Sequence, residues 1–322
     1  MDRRQFIKYC SLGLVSTSLA GCSFRELWKG TKQDSTGSSG VAGTTSDKPK
    51  SNVVAYDRSK LIVAQGSDPN LLINKGFEAL GGLGSLVKPG ATVVIKANFS
   101  VPRTPAEAAT TSSALVAALV TACLSAGAKG VKVIDHPFSN STMCLETTGI
   151  KKAVEAAGGQ AYALSEQNDR FYKAVNVDGK ILQNVQYSKD VLEADVFINF
   201  PILKHHNGVK VTMGLKNMMG LVWDRGIFHR TDLQQAIAEL AHFHQPSLTI
   251  LDATRGIIDN GPMGPGTIRE YNQVVFGTDP VAVDAYGAQL FGLKPTDLGY
   301  ITAAHQLGVG EIDSNKLTIV RV

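Results

Sequence analysis

Polar side chains follow four predicted β-strands, each at the point where the strand ends. The strand-ending groups are Lys96 with Asn98, Asp135 with His136, Lys204 with His206, and Asp252. In open α/β sheets, ligands bind outside the carboxyl ends of the strands, where the loops converge. We therefore expect these acids and bases to line one crevice, although polar residues also begin wherever a strand leaves the core.

A small anionic substrate suits this collection of residues. Lys96, Lys204 and Lys216 supply ammonium groups that can neutralise a carboxylate or a phosphate. His206 is the predicted general acid or base, because the unperturbed pKa of imidazole lies near neutrality. Asp135 or Asp252 would orient its ring. The catalytic prediction is thus His206, Asp135 and Asp252.

Two segments with unusual composition join the predicted site. The apolar, glycine-punctuated run 211–220 contains Lys216 and Asn217, although a lone lysine there could equally extend to water. The loop 260–266 contains two prolines and several glycines, and Gly261 would allow close backbone approach to a ligand. A plain surface turn would have the same composition.

Asp284 stands on an otherwise apolar helix face with Val281, Ala285 and Ala288. A buried carboxylate is costly unless it meets a cation or a metal. The pattern predicts an Asp284–lysine contact near the site, and leaves open whether that contact is structural or catalytic. Asp279, followed by Pro280, is a predicted helix N-cap.

Short β-branched runs alternate with helical ones, which predicts an α/β fold with a mostly parallel sheet flanked by helices. This is either one large domain or two closely packed α/β halves. The predicted strands are Leu61–Ala64, Thr92–Lys96, Val131–Asp135, Val196–Phe200, Leu248–Leu251 and Gln273–Phe276. The predicted helices are Asn70–Leu80, Ser113–Ala126, Ile150–Ala157, Leu233–Phe243 and Pro280–Phe291. Residues 205–230 read as a helix with a long loop.

The chain lacks the sequence motifs of several enzyme classes. There is no His-Glu-x-x-His pair, no Gly-x-Ser-x-Gly elbow and no phosphate-binding Gly-x4-Gly-Lys loop. A divalent metal held by His206, Asp135, Asp252 or His229 stays open as an alternative, without diagnostic spacing. No Cys-x-x-Cys pair exists, so the chain has no self-contained iron–sulfur motif.

The N-terminal residues predict where in the cell the protein is located. Arg3 and Arg4 begin a twin-arginine export signal, and the sequence Leu-Ala-Gly before Cys22 is a lipoprotein cleavage box. We expect a signal peptide over residues 1–21, a flexible tether over 22–52 beginning with lipidated Cys22, and an α/β domain over 53–322. Ser23 favours the outer membrane where one exists. The lipid would make the membrane a partner.

Removal of the signal would halve the net charge, from +4 to +2. The whole chain has 32 basic and 28 acidic side chains. Loss of Arg3, Arg4, Lys8 and Asp2 leaves 29 and 27, which offers no basic stripe for nucleic acid. Two cysteines remain besides the lipidated one, Cys123 and Cys144, and a disulfide between them is an alternative to a plain core position.

The motifs of the body resemble those of a known family, the domain-of-unknown-function family 362. The matching segments are Lys96-Ala97-Asn98, Ala109-Thr110-Thr111, the run 194–206 ending in Lys204-His205-His206, the run 214–220, Asn260-Gly261-Pro262 and the run 279–284. The resemblance covers roughly Val53 to Val322. It implies that Lys204 and His206 stand for the family's Lys-x-His, that Lys216 and Asn217 stand for its Lys-Asn, and that Thr111 belongs to the substrate site.

The resemblance implies no agreed reaction. Many relatives carry a ferredoxin-like iron–sulfur segment, whose cysteines are missing here. Relatives often have His-Pro after the two threonines, where this chain has Ser112-Ser113, which weakens a metal role at that position. The leading hypothesis is an exported, lipid-anchored enzyme acting on a small anion. The alternatives are a non-catalytic cofactor-binding or redox-accessory lipoprotein with a redox partner protein, and a purely structural lipoprotein.

Overall fold

An eight-stranded sheet forms the centre of the protein. The computed structural model describes residues 49, 56–164 and 170–322. The strands in chain order are β1 (Lys60–Gln65), β2 (Thr92–Lys96), β3 (Gly130–Asp135), β4 (Gln160–Ala163), β5 (Tyr172–Asn176), β6 (Asn184–Ser188), β7 (Val196–Asn199), β8 (Lys204–His206), β9 (Lys210–Thr212), β10 (Leu248–Ile257), β11 (Ile268–Gly277) and β12 (Thr318–Arg321). The sheet has the order β12-β1-β11-β10-β7-β2-β3-β4. Two antiparallel hairpins, β5–β6 and β8–β9, lie outside it.

Helices cover both faces of the sheet. They are α1 (Pro69–Leu80), α2 (Ser113–Ser125), α3 (Ser141–Thr147), α4 (Ile150–Ala156), α5 (Lys189–Glu193), α6 (Gly214–Asn217), α7 (Gly226–Arg230), α8 (Leu233–Phe243), α9 (Pro280–Leu290) and α10 (Gly299–Gln306). Short 3-10 turns occupy Leu83–Ser85, Pro105–Glu107, Met218–Leu221, Pro295–Asp297 and Ser314–Lys316.

Alternate residues of each strand enter opposite cores. Val94 packs with α8, α9 and α10, whereas its neighbours Val93 and Ile95 pack with α1, α2 and α4. This follows from the two-residue period of a strand. Because both faces are buried, the strands are continuously apolar, as the sequence predicted.

The direction of the strands decides where the site lies. Strands β10, β7, β2, β3 and β4 run parallel to one another, and β11 runs against its two neighbours. The carboxyl ends of the parallel strands therefore meet at one edge. The α/β fold with a mostly parallel sheet flanked by helices is confirmed, and all described residues belong to one compact unit.

Two expectations about local structure are wrong. Strand β10 does not end at Leu251 but continues to Ile257, with a bulge between Ala253 and Arg255, because its antiparallel partner β11 extends the ladder. Residues 205–230 do not form one helix with a long loop; they contain most of the hairpin β8–β9, followed by three short helical turns. The sequence also did not predict β4, β5, β6, β12 or α10.

The N-terminal predictions concern a different part of the chain. The export signal over residues 1–21, Cys22 and almost the whole tether lie outside the described residues. No helix among the described residues is long and apolar enough to cross a membrane.

Cys123 and Cys144 are both buried free thiols, so the disulfide alternative does not occur in this structure.

Candidate functional site

A cavity of about 430 Å³ opens at the carboxyl ends of β2 and β3. Among the described residues, four lysine and arginine side chains line it, together with one carboxylate. The cations are Lys96, Lys204, Lys216 and Arg225, and the carboxylate is that of Asp135. Other lining residues are Asn98, Ser100, Phe138, His206, Thr212, Asn217, Met219, Gly220, Gly226, His229 and Pro262.

Lys96 and Asp135 form an ion pair at the base of the cavity. They end the neighbouring parallel strands β2 and β3, both are 1 % exposed, and Lys96 Nζ lies 2.7 Å from Asp135 Oδ1. The other Asp135 oxygen accepts hydrogen bonds from Phe99 N at 2.8 Å and Ser100 Oγ at 2.9 Å. Burial opposes ionisation of Asp135, but the Lys96 ammonium and these bonds outweigh it, so its pKa lies below the ordinary value.

Lys204 lines the same cavity, and its amine is fully hydrogen bonded. Nζ donates to the carbonyl oxygens of Ala109 at 2.6 Å and Pro262 at 3.1 Å, and to Asn98 Oδ1 at 3.3 Å. None of these acceptors carries a charge. Burial lowers the pKa of Lys204 to about 7; Asp135 opposes the shift, and Lys216 and Lys96 add to it.

Asn217 connects Lys96 with Asn98 and Asn199 through its side-chain amide. Its Oδ1 accepts from Lys96 Nζ at 3.0 Å and from Asn98 Nδ2 at 3.1 Å. Its Nδ2 donates to Lys96 O at 3.1 Å and to Asn199 Oδ1 at 2.8 Å. Thr111 is not among the cavity-lining residues. It supports Asn98, because its Oγ1 accepts a hydrogen bond from the backbone N–H of Asn98 at 2.9 Å.

Lys216 and Arg225 are the half-buried cations of the cavity. Among the described residues, Lys216 Nζ donates a weak hydrogen bond to the thioether sulfur Met219 Sδ at 3.5 Å. Burial lowers the pKa of Lys216 to about 8, with further contributions from Arg225 and Lys96. Arg225 donates to the carbonyl oxygens of His136 at 2.7 Å and Pro137 at 3.0 Å. Its guanidinium carbon lies 5.8 Å from the ring centre of Phe138.

His206 lies in the cavity but has no carboxylate to orient it. Its Nδ1 accepts a hydrogen bond from Gly208 N at 2.9 Å, which leaves the proton of the neutral ring on Nε2. Burial, together with Lys216, Lys204 and the neighbouring histidines, lowers its pKa to about 2. The structure therefore does not support His206 as an acid at neutral pH, since the ring is uncharged there. It is a hydrogen-bond donor through Nε2.

Asp252 does not reach the cavity, because β10 continues past it. Its carboxylate accepts from Ser112 N at 2.9 Å, from Thr254 N at 3.0 Å and from Thr254 Oγ1 at 2.7 Å. It thus binds the start of α2 and its own strand bulge. The predicted role in orienting His206 is corrected accordingly, and Asp135 is likewise engaged with Lys96 rather than with His206.

The predicted contact between Asp284 and a lysine is wrong. Asp284 is fully buried, and its two oxygens accept from Gly214 N at 2.7 Å and Leu215 N at 2.9 Å. These N–H groups begin α6, whose unpaired backbone donors make that position favourable for a carboxylate. Asp284 therefore positions the turn that carries Lys216 and Asn217. Burial raises its pKa to about 7, and the two backbone bonds only partly offset this.

Gly261 acts through its backbone. Its N–H donates to His205 Nδ1 at 3.0 Å, and a Cβ at this position would lie 1.9 Å from His205 O. Glycine is therefore required for the 260–266 loop to pack against β8. This packing places the next residue, Pro262, against Lys204. Gly261 itself is not among the cavity-lining residues.

Metal ligands do not cluster in the described part of the chain: no group of three or more His, Cys, Asp or Glu side chains there could hold a metal ion. The oxygens of Asp135 and Asp252 are engaged with backbone and side-chain donors, as described above. What the cavity offers instead is hydrogen-bond donors and positive charge. Such an arrangement can bind an anion and stabilise negative charge that develops on it.

Arg225 and Phe138 are the largest of the lining side chains that the sequence did not indicate as site residues. Arg225 lies in the segment 205–230, where the hydrophobic periodicity was unreadable. Phe138, 47 % exposed, comes three residues after the end of β3, and its position after Asp135, His136 and Pro137 could have indicated it. The sequence indicates His229 only as a candidate metal ligand.

Comparison with known proteins identifies relatives of this chain. The model of the family described as "Domain of unknown function (DUF362)" matches residues 93–289, a range that includes every cavity-lining residue. The thylakoid-associated protein sll1697 of Synechocystis sp. is 29 % identical over 241 residues, which are 72 % of this chain and 73 % of that protein.

A solved structure with a related arrangement is the lactate racemase apoprotein of Thermoanaerobacterium thermosaccharolyticum. It has a TM-score of 0.44 and 12 % sequence identity, and the match covers 71 % of this chain and 56 % of that one.

Proposed function

This chain belongs to the DUF362 family, and on that premise we propose that it is an enzyme whose substrate is a small anion bound in the cavity. One observation carries the proposal. Lys204, Lys216 and Arg225 line a single cavity, and none of them forms an ion pair with a carboxylate among the described residues.

Uncompensated charge of this kind is costly. Moving an ammonium group out of water costs free energy unless an opposite charge accompanies it. The lowered pKa values of Lys204 and Lys216 express this cost. A bound carboxylate or phosphate would supply the missing negative charge. Such an anion would be held by charge-assisted hydrogen bonds, which are the stronger kind.

The lysines also suit proton transfer. A general acid or base works best when its pKa lies near the operating pH. The pKa values of Lys204 and Lys216 are about 7 and about 8, whereas that of His206 is about 2. We therefore assign proton transfer to the lysines, and to His206 the donation of its Nε2–H to the bound anion.

Isothermal titration calorimetry with sulfate, phosphate, acetate and oxalate tests the proposal. We expect at least one anion to bind, and Lys204→Met and Arg225→Leu to weaken binding about tenfold or more. Lys75→Met, on the exposed face of α1, is the matched control and should bind as the wild type does. The proposal fails if no anion binds, or if the control loses as much affinity as the cavity variants.

The alternative is a non-catalytic protein that binds a cofactor or serves a redox partner. Analysis of the protein purified from the cytoplasm before export distinguishes this role from that of an enzyme. A stoichiometric chromophore or metal in that preparation would favour this role. A retained small anion would favour the enzyme. Native mass spectrometry and absorption spectra measure both.

We propose further that the protein is exported by the twin-arginine route and anchored through lipid on Cys22, with the outer membrane favoured where one exists. The signal motif at Arg3 and Arg4 and the box before Cys22 support this. The Synechocystis relative is named as thylakoid-associated. Replacing both arginines by lysine should retain the protein in the cytoplasm, and Cys22→Ala should abolish palmitate labelling. Labelling that persists without Cys22 would contradict the anchor.

A further inference from the structure

The three lysines of the cavity differ in how their amines are engaged. Lys96 Nζ contacts three oxygens, those of Ala97 at 2.7 Å, Asn217 at 3.0 Å and Asp135 at 2.7 Å. Lys204 Nζ likewise has three oxygen acceptors, as described above. In both cases protein oxygens surround the amine nitrogen, so a ligand would have to displace one of these contacts to reach it.

Lys216 is different. Within the described chain its amine contacts a thioether sulfur at 3.5 Å, which is a weak acceptor. Its side chain is half-buried and lines the cavity. No oxygen of the described residues accepts a hydrogen bond from its nitrogen, in contrast to the three oxygens around Lys96 and around Lys204. The amine is therefore the one best placed, among the three cavity lysines, to present a lone pair to a ligand.

From this difference we infer that Lys216 is a nucleophile that forms an imine with a carbonyl group of the substrate, which would then be an oxo acid. The inference rests on the proposed anion site and refines it. The guanidinium of Arg225 would hold the carboxylate of the oxo acid, and the amine of Lys216 would meet its carbonyl carbon.

The step balances without any further reactant. The nitrogen lone pair attacks the carbonyl carbon, a C–N bond forms, and the carbonyl π electrons move to oxygen, which takes up a proton. Loss of water then gives the C=N bond. Both protons of the neutral amine leave with that water.

The charges around Lys216 favour the neutral amine. Arg225 and Lys96 are the neighbouring cations that, after burial, lower its pKa to about 8. An uncharged lysine beside other cations in a desolvated pocket is a recognised way to activate an amine for imine formation. At pH 8 about half of Lys216 is then uncharged, against well under 1 % for an ordinary lysine with a pKa near 10.4.

Reductive trapping tests the inference. The full chain is incubated at pH 8 with pyruvate or glyoxylate and sodium cyanoborohydride, and the modified peptides are mapped by mass spectrometry. We expect a reduced adduct on Lys216 about tenfold or more above that on any exposed lysine. Lys75→Arg should leave this adduct unchanged.

Lys216→Arg is the decisive variant, because it retains a positive charge but cannot form the imine. It should lose the adduct and still bind sulfate in a calorimetric titration, with an unchanged circular dichroism spectrum and melting temperature. If sulfate binds to the wild type but neither oxo acid labels Lys216 selectively, the nucleophile is wrong while the anion site stands. An adduct that persists in Lys216→Arg on another cavity lysine also overturns the assignment. If sulfate does not bind at all, the proposed function fails as well.

Discussion

Asn217 and Lys96 are joined at both ends of the Asn217 amide: Lys96 Nζ donates to its Oδ1 at 3.0 Å, and its Nδ2 donates to Lys96 O at 3.1 Å. The amide therefore binds the end of β2 to the end of α6. These segments lie 121 residues apart in the chain.

Asn217→Ala should destabilise the protein and weaken anion binding together. The substitution leaves buried donors and acceptors on Lys96, Asn98 and Asn199 without their partner, and each unsatisfied group costs about 1–3 kcal/mol. We expect a loss of about 3 kcal/mol in the free energy of unfolding, measured in urea. Asn74→Ala, exposed on α1, should change it by less than about 0.5 kcal/mol. Equal effects of the two substitutions would remove the bridging role.

Gly220→Ala should disturb the ion pair without changing any charge. An added Cβ would lie 2.6 Å from Asp135 Oδ1 and 2.7 Å from Lys96 Cε. Relieving such contacts requires the pair to move, and overpacking of this kind costs about 1–3 kcal/mol. We expect a lower melting temperature and weaker sulfate binding.

Gly84→Ala is the matched control, because no atom lies within 4 Å of its added Cβ and the residue is exposed. Its melting temperature should equal or exceed that of the wild type. Unchanged sulfate affinity in Gly220→Ala would mean that the ion pair does not shape the site.

Sulfate affinity should fall as the pH rises from 6 to 9. The pKa values of Lys204 and Lys216 are about 7 and about 8, so both ammonium groups lose their charge over this range, whereas sulfate keeps its own. We expect a decrease of about 100-fold, measured by calorimetry at each pH. Lys216→Arg should flatten the curve above pH 8, because guanidinium remains charged. A flat wild-type curve would contradict the role of these lysines.

Asp284 should make the protein less stable as the pH rises. Its pKa is raised to about 7 in the folded protein, from about 3.8 in an unfolded chain. The folded state therefore binds the proton more tightly, and the contribution of Asp284 to stability is complete below pH 4 and is lost as the pH approaches 7. The full effect is up to about 4 kcal/mol.

The measurement compares urea unfolding of the wild type and Asp284→Asn at several pH values. The stability of the wild type relative to the variant should decrease between pH 4 and pH 7, on top of a constant cost for the lost backbone acceptor. Asp178→Asn, at an exposed position, should show no such trend. A pH-independent difference for Asp284→Asn would mean that this carboxylate ionises normally.

The strands that form the centre of the sheet were predictable because each is a short apolar run between turn residues. Thr92–Lys96 was predicted with the bounds that the structure has for β2. The end of β10 was not predictable, since its length depends on pairing with β11, which lies elsewhere in the chain. For this reason the sequence wrongly predicted Asp252 at the end of a strand in the site, whereas it lies within β10.

The local pattern also misled the interpretation of Asp284. A carboxylate on an apolar helix face must have partners, and the sequence offered three lysines as candidates. The actual partners are the backbone N–H groups of Gly214 and Leu215. Every segment has backbone N–H groups, whatever its side chains are. The residue types alone therefore could not indicate which of these groups Asp284 contacts.

The amino-acid sequence by itself determined the α/β class, the central strands, and the residues Lys96, Asn98, Asp135, Lys204, Lys216 and Asn217 that line the cavity, because hydrophobic periodicity and strand ends are local features. Only the tertiary structure decided which cations share a space with which carboxylate. It brought Arg225 into the cavity, engaged Lys96 with Asp135, and left Lys216 against a thioether. The physical reason is that charge compensation depends on distance and burial, and both are set by segments that lie far apart along the chain.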